Sequence, residues 1–148
     1  MPHSPQAIAR YKDRRWLQRR EHEERAQVET VQWWYAHVRE LGITEPQVLF
    51  ANGEWLGKVK ASSLFIVCRL QALGWNPESP RLMLAAPRGG FHGLFLYFKH
   101  PEARDSAEAN AMKFTLANQG YEVATCSDAD GACRTIFNYI KGANAGST

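Results

Sequence analysis

The stretch "SPRLMLAAPRGGFHGLFLYFKHP", residues 79–101, decides how this chain is read. Two apolar segments, "RLMLAA" and "FHGLFLYFK", flank a turn through Pro87–Gly90. Gly and Pro gathered between two apolar runs favour a chain reversal, so the pair reads as two adjacent strands in an antiparallel hairpin. Both runs are apolar almost throughout, which predicts strands buried on both faces. A lone Lys99 closes the second run.

Upstream of the hairpin, "GKVKASSLFIVCRLQALG" has helical spacing, with Leu64, Val67 and Leu70 inward and Gly74 as its stop. "QVLFA" (47–51) reads as a short strand, followed by the Asn52-Gly53 turn signal. Before it, Ser4 as N-cap and Pro5 in the first turn open a helix that runs to Gly42. Val31, Trp34, Tyr35, Val38 and Leu41 share one face of that helix and are expected in the core. Its part before Glu21 is far more polar and reads as an arm or helical extension.

Downstream, Ser106 caps the helix "AEANAMKFTLANQ", which Gly120 ends. "YEVATC" is a fourth strand. Asp128 caps the last helix, "ADGACRTIFNYIKG", with Ile136, Tyr139 and Ile140 on one face. "ANAGST" reads as a disordered tail. The resulting order, α, β, α, β, β, α, β, α, predicts an α/β fold with a mixed sheet flanked by helices.

Composition sets the frame for this reading. The chain has 148 residues, 45% hydrophobic and 22% charged, suited to one domain with a sizeable core. No apolar run nears the roughly 20 residues that span a bilayer, and the basic N-terminus lacks the apolar segment of a signal peptide. A membrane partner is therefore not expected, and the cytoplasm is. The three cysteines, Cys68, Cys126 and Cys133, have no CxxC spacing and suit reduced thiols rather than zinc. The net charge of +3 is unevenly spread: "RYKDRRWLQRR" (10–20) carries six Lys/Arg against one Asp, a local +5. A concentrated positive stripe attracts polyanions, because phosphate contacts release condensed counterions. The bland alternative is a solvated helix face.

From Glu21 to Gly142 the chain resembles the VRR-NUC domain of the PD-(D/E)XK nuclease superfamily, and its compact stand-alone viral and bacterial members best. The resemblance rests on "NGEW", on "LQALGWNPESPRLMLAAPRGGFHGLFLYFK" and on "SAEANAMKFTLANQGYEVATCSDADGACRTIFNYI". The family pattern runs from an Asn-Gly turn through a Gly-ended helix and a Pro-Asp-Leu strand. A Pro-x-Gly-Gly-aromatic-His-Gly-Leu turn and an Ile-Glu-x-Lys strand follow, then a serine-led helix with a glutamine. The resemblance implies a restriction-endonuclease-like mixed sheet with a long N-terminal helix. It divides the chain into a basic arm (1–20), a VRR-NUC-like domain (21–142) and a tail (143–148).

Phosphodiester hydrolysis must activate water and stabilise extra negative charge, and paired carboxylates holding Mg²⁺ do both. Aligned on the family pattern, Pro80-Arg81-Leu82 stands at the Pro-Asp-Leu place, so the aspartate is Arg81. Leu96-Tyr97-Phe98-Lys99 stands at the Ile-Glu-x-Lys place, so the glutamate is Tyr97. Ala109 replaces the helical glutamine, whereas Lys99 survives and Glu24 with Gln27 matches the N-terminal acidic helix motif. Arg81, Tyr97, Lys99, Glu24, Gln27 and Ala109 thus form a degenerate site. A guanidinium cannot be neutralised at accessible pH, and a phenol is uncharged near pH 7. No catalytic residue, no bound metal and no cofactor is expected, Mg²⁺ entering only if other carboxylates have taken over. Asp105 and Glu102 are candidates for such a migration, but "HPEARD" reads as a solvated loop. His92 is expected to steady the turn or touch phosphate rather than to transfer protons.

Loss of the metal need not remove binding. Candidate nucleic-acid contacts are Arg14, Arg15, Arg19 and Arg20 in the arm, Lys58 and Lys60 near the second helix, and Arg81, Arg88 and Lys99 around a cleft left more positive. Three functions remain open. The first is an inert pseudo-nuclease that binds DNA or an acidic protein partner, as a viral counter-defence or regulatory protein in the host cytoplasm would. The second is an active Mg²⁺-dependent, structure-specific endonuclease like a Holliday junction resolvase, a homodimer by family resemblance. The third is a protein inhibitor or scaffold without nucleic-acid affinity.

Overall fold

A computed structural model of the chain describes residues 22–51 and 64–142. The arm with Arg14, Arg15, Arg19 and Arg20, the Asn52-Gly53 turn, Lys58, Lys60 and the tail lie outside the described residues. The described elements are α1 (His22–His37), a 3-10 turn (Pro46–Val48), β1 (Leu49–Ala51), α2 (Leu64–Ala72), β2 (Leu82–Leu84), β3 (Leu94–Phe98), α3 (Ala107–Asn118), β4 (Glu122–Cys126) and α4 (Ala129–Lys141). Their order is the one that the apolar periodicity predicts.

The four strands form one sheet in the order β1-β2-β3-β4. β1 pairs with β2, and β2 with β3, antiparallel, with Leu82 opposite Leu96 and Leu84 opposite Leu94. β4 joins β3 in parallel, Leu96 facing Ala124. A parallel neighbour cannot be reached by a tight turn, so the chain crosses over through α3. The hairpin reversal is tighter than the Pro87–Gly90 stretch suggests. Arg88 and Phe91 pair through both of their N–H groups (3.2 and 2.8 Å), leaving Gly89 (φ +55°) and Gly90 (φ +87°) as a two-residue turn. Positive φ at both central residues matches the strand twist and costs glycine little.

The core lies between one sheet face and the pair α1 and α4. Leu49, Leu82, Leu84, Leu94, Leu96 and Phe98 meet Trp34, Val38 and Leu41 from α1 and the turn after it, and Ala132, Ile136, Tyr139 and Ile140 from α4. Trp34 is fully buried and donates its indole N–H to Pro46 O at 2.7 Å, which ties α1 to the entry of β1. Val31 and Tyr35 pack at the margin of the core rather than inside it. The turn ending α1 is closed by Ile43 N–H on Val38 O (3.3 Å) and Gly42 N–H on Arg39 O (3.0 Å), with Gly42 at φ +81°. That pairing satisfies carbonyls a helix end otherwise leaves open. Ser106 Oγ accepts from Ala109 N–H at 3.0 Å and Asp128 Oδ1 from Gly131 N–H at 2.8 Å, so both expected N-caps form.

The expectation of strands buried on both faces requires correction. Leu94, Leu96 and Phe98 are buried, but the alternating Phe95 and Tyr97 are only half-buried, as is Met83. Among the described residues, α1 and α4 cover the first face, and α3, over β4, covers part of the second. No described helix is long and apolar enough to cross a membrane.

Candidate functional site

Among the described residues, charged side chains gather at the C-terminal end of β3. Here the sheet ends among the first turn of α1, the segment entering β2 and the start of α3. A cleft of about 200 Å³ opens between them, lined by Glu23, Glu78, Arg81, Tyr97, Lys99 and Asp105, with Ala109 among the smaller residues of its wall.

Arg81 sits just before β2 and is held against β3 by its own N–H on Leu96 O at 3.0 Å. Its guanidinium reaches across to α1, where Nη1 donates to Gln27 Oε1 at 3.3 Å. Tyr97 alternates with buried Leu96 and Phe98, which turns its ring away from the core and towards α3. Its hydroxyl donates to Glu78 O at 2.9 Å and so closes the segment 78–81 against the strand.

Lys99 follows β3 directly, with its N–H on Cys126 O at 2.9 Å prolonging the parallel pairing with β4. Its ammonium lies 2.6 Å from Asp105 Oδ1 and donates to Arg104 O at 3.1 Å. The other oxygen, Asp105 Oδ2, takes Lys113 Nζ at 2.5 Å. Lys113 also donates to Thr125 Oγ1 at 2.7 Å and stands 4.8 Å from the centre of the Tyr97 ring, a cation over an aromatic face. Hydrogen bonds first from Lys113 and then from Lys99 hold the Asp105 carboxyl below the usual carboxylate range.

"HPEARD" is therefore not simply a solvated loop. Glu102 is exposed as expected, but Asp105 lines the cleft, where Lys99 just after β3 and Lys113 of α3 converge on it. Nor is the lining uniformly positive, since Glu23, Glu78 and Asp105 share it with Arg81 and Lys99. On α1 it is Glu23, not Glu24, that lines the cleft, and Glu23 Oε2 accepts His100 N–H at 2.8 Å. Glu24 is half-buried in the same turn. Ala109 is buried, its methyl occupying little of the wall.

Arg88 and His92 belong elsewhere. They stand at the turn end of the hairpin, about 20 Å from Lys99 by strand rise. Arg88 Nη1 donates to Pro87 O at 2.7 Å. The His92 ring lies over Gly120, so closely that a Cβ there would meet it at 2.6 Å, and edge-on to Tyr121 at 5.7 Å. That contact ties the hairpin turn to the start of β4.

Lys113 was not singled out from the sequence. The signal was nevertheless present: it lies one helical turn beyond Ala109, on the same face of a helix already placed beside the cleft. Among the described residues no group of three or more His, Cys, Asp or Glu is arranged to hold a metal ion.

No family model and no curated protein matches the chain. Among solved structures, the fold matches that of a VRR_NUC domain protein with a TM-score of 0.62 and 17% identity, over 82% of this chain and 90% of that one. At such identity the likeness shows the fold alone. The four-stranded mixed sheet with flanking helices shares the fold of that VRR_NUC domain protein.

Proposed function

We propose that the chain is a pseudo-nuclease that has lost metal-dependent hydrolysis and binds nucleic acid through the cleft and the basic arm. One observation carries this reading. The two side chains standing where the family pattern has acids, Arg81 and Tyr97, are a fixed cation held by Gln27 and a neutral phenol held by Glu78 O. A guanidinium in the cleft repels Mg²⁺, and the phenol offers it no charge. Asp105 already has an ammonium group against each oxygen, Lys99 in an ion pair with Oδ1 and Lys113 in a hydrogen bond with Oδ2, so a metal would have to displace two lysines to use it. The fold and the concentrated charge of residues 10–20 support nucleic acid as the partner.

The test has two arms. Incubation with Mg²⁺ or Mn²⁺ and branched or linear DNA is expected to leave the DNA intact; cleavage that Lys99→Ala abolishes would overturn the reading. Titration of DNA at two salt concentrations should show affinity falling steeply with salt, and reversing Arg14, Arg15, Arg19 and Arg20 to Glu should weaken it. Binding that is absent at low salt would favour a protein-only inhibitor or scaffold instead. A second reading, an active endonuclease with relocated ligands, draws on the presence of Glu23, Glu78 and Asp105 in one cleft. It requires cleavage that Glu23→Gln or Glu78→Gln removes.

A further inference from the structure

Loss of catalysis does not explain why two lysines from different elements converge on one carboxylate. The side chains of Lys99, Lys113 and Asp105 are 29%, 16% and 21% exposed, so the cluster is partly withdrawn from water. Two ammonium groups on one carboxylate leave a surplus positive charge and repel one another. Lys113 is fixed independently of the acid, by Thr125 Oγ1 and the Tyr97 ring, while Lys99 has its backbone anchored on Cys126 O at the sheet end and its ammonium on Asp105 and the neighbouring Arg104 O. Asp105, by contrast, sits on the irregular connection between β3 and α3. Its two oxygens share one negative charge, as the two terminal oxygens of a phosphodiester do.

We propose that Lys99 and Lys113, the latter steadied by Thr125 Oγ1, form an oxyanion cradle which Asp105 fills in the free protein, and that a phosphate group of nucleic acid takes this place by displacing the Asp105 carboxylate. No covalent bond changes; one anion replaces another on the same donors. Asp105 acts as an internal competitor, present at the high effective concentration that a short tether confers. The cradle thereby stays shut to weak anions and opens to a strand that other contacts hold nearby. The inference rests on the nucleic-acid reading only for the source of the phosphate, because the cradle itself can be probed with inorganic phosphate.

The experiment titrates inorganic phosphate and, separately, a short DNA duplex into the full chain and into Asp105→Asn, Asp105→Ala and Asp105→Asn/Lys113→Gln. Calorimetry reads phosphate binding, and fluorescence anisotropy reads DNA at several salt concentrations. Both Asp105 variants should bind phosphate roughly tenfold more tightly, in keeping with the removal of a tethered competitor. DNA affinity at a given salt concentration should also rise, with the slope of log affinity against log salt little changed, because the same phosphate contact forms in both. Adding Lys113→Gln should cancel both gains. Unchanged or weaker phosphate binding in folded Asp105 variants overturns the cradle, and so does unfolding of both variants, which would make the cluster a structural clamp. A gain with phosphate but no DNA binding in any variant keeps the cradle and sinks the nucleic-acid reading. DNA binding that ignores Asp105 and Lys113, with no phosphate gain, does the reverse.

Discussion

The two faces of the sheet solve different problems. On the face towards α1 and α4, every strand residue that alternates inward on β2 and β3 is a leucine or phenylalanine, and all are buried. On the other face the alternating positions are Met83, Phe95 and Tyr97, half-covered, with Lys113 standing over the Tyr97 ring. Burial of apolar surface is non-directional and roughly proportional to area, so the first face holds the fold together. The second face keeps charge in partly wet positions, where geometry and protonation decide its behaviour. Apolar packing and charge are thereby assigned to opposite sides of the same strands.

The largest effect should come from breaking the sealed face. Trp34→Ala removes a fully buried side chain and its bond to Pro46 O, and should cost about 3–5 kcal/mol. Denaturant unfolding measures this; a loss below that of an exposed substitution would mean the face is not the core. Lys113→Met, on the other face, should cost less, about 1 kcal/mol, since the pair keeps some contact with water and Lys99 still faces Asp105.

Gly120→Ala tests the tie between the hairpin turn and β4. The residue has φ +94°, and its Cβ would press into the His92 ring. A cost of about 1–2 kcal/mol is expected from the backbone alone, with the clash in addition. Adding His92→Ala should recover the clash and leave the backbone cost, so full recovery would show that the backbone is not strained.

A smaller effect should appear with pH. The folded Asp105 carboxyl titrates below its unfolded value, about 3.9, so its ion pairs stabilise the fold above that pH and are lost as pH falls through the folded value. Wild type should therefore be more stable than Asp105→Asn at pH 7, and the gap should shrink on acidification below about 4. A gap that is constant with pH would mean that the carboxylate charge contributes nothing. The slightest perturbation concerns thiol reactivity. Cys68 is exposed and should react first with a thiol reagent in the native state. Burial pushes the Cys133 thiol up to about 12 and also raises Cys126, so these two should react only on unfolding.

The elements were legible from sequence because their signals are local. Helical spacing placed Trp34, Val38 and Leu41 inward, Ser106 and Asp128 announced their caps, and the glycines announced the reversal. Two readings went astray where burial depends on a distant partner. Apolar composition alone made both faces of the hairpin look sealed, since nothing in it counts how many helices will cover each face. The charged loop looked solvated, since nothing near Asp105 in sequence announces Lys113.

The sequence alone determined the order of helices and strands and the hairpin, encoded in residue types at short spacing, and it puts an arginine and a tyrosine at positions 81 and 97. Only the tertiary structure decided that Gln27 receives Arg81, that Glu23 rather than Glu24 faces the cleft, and that Lys99 and Lys113 meet on Asp105. The physical reason is that a strong ion pair needs approach to within a few ångströms. Elements far apart along the chain reach that separation only through the docking of α1 and α3 on the sheet.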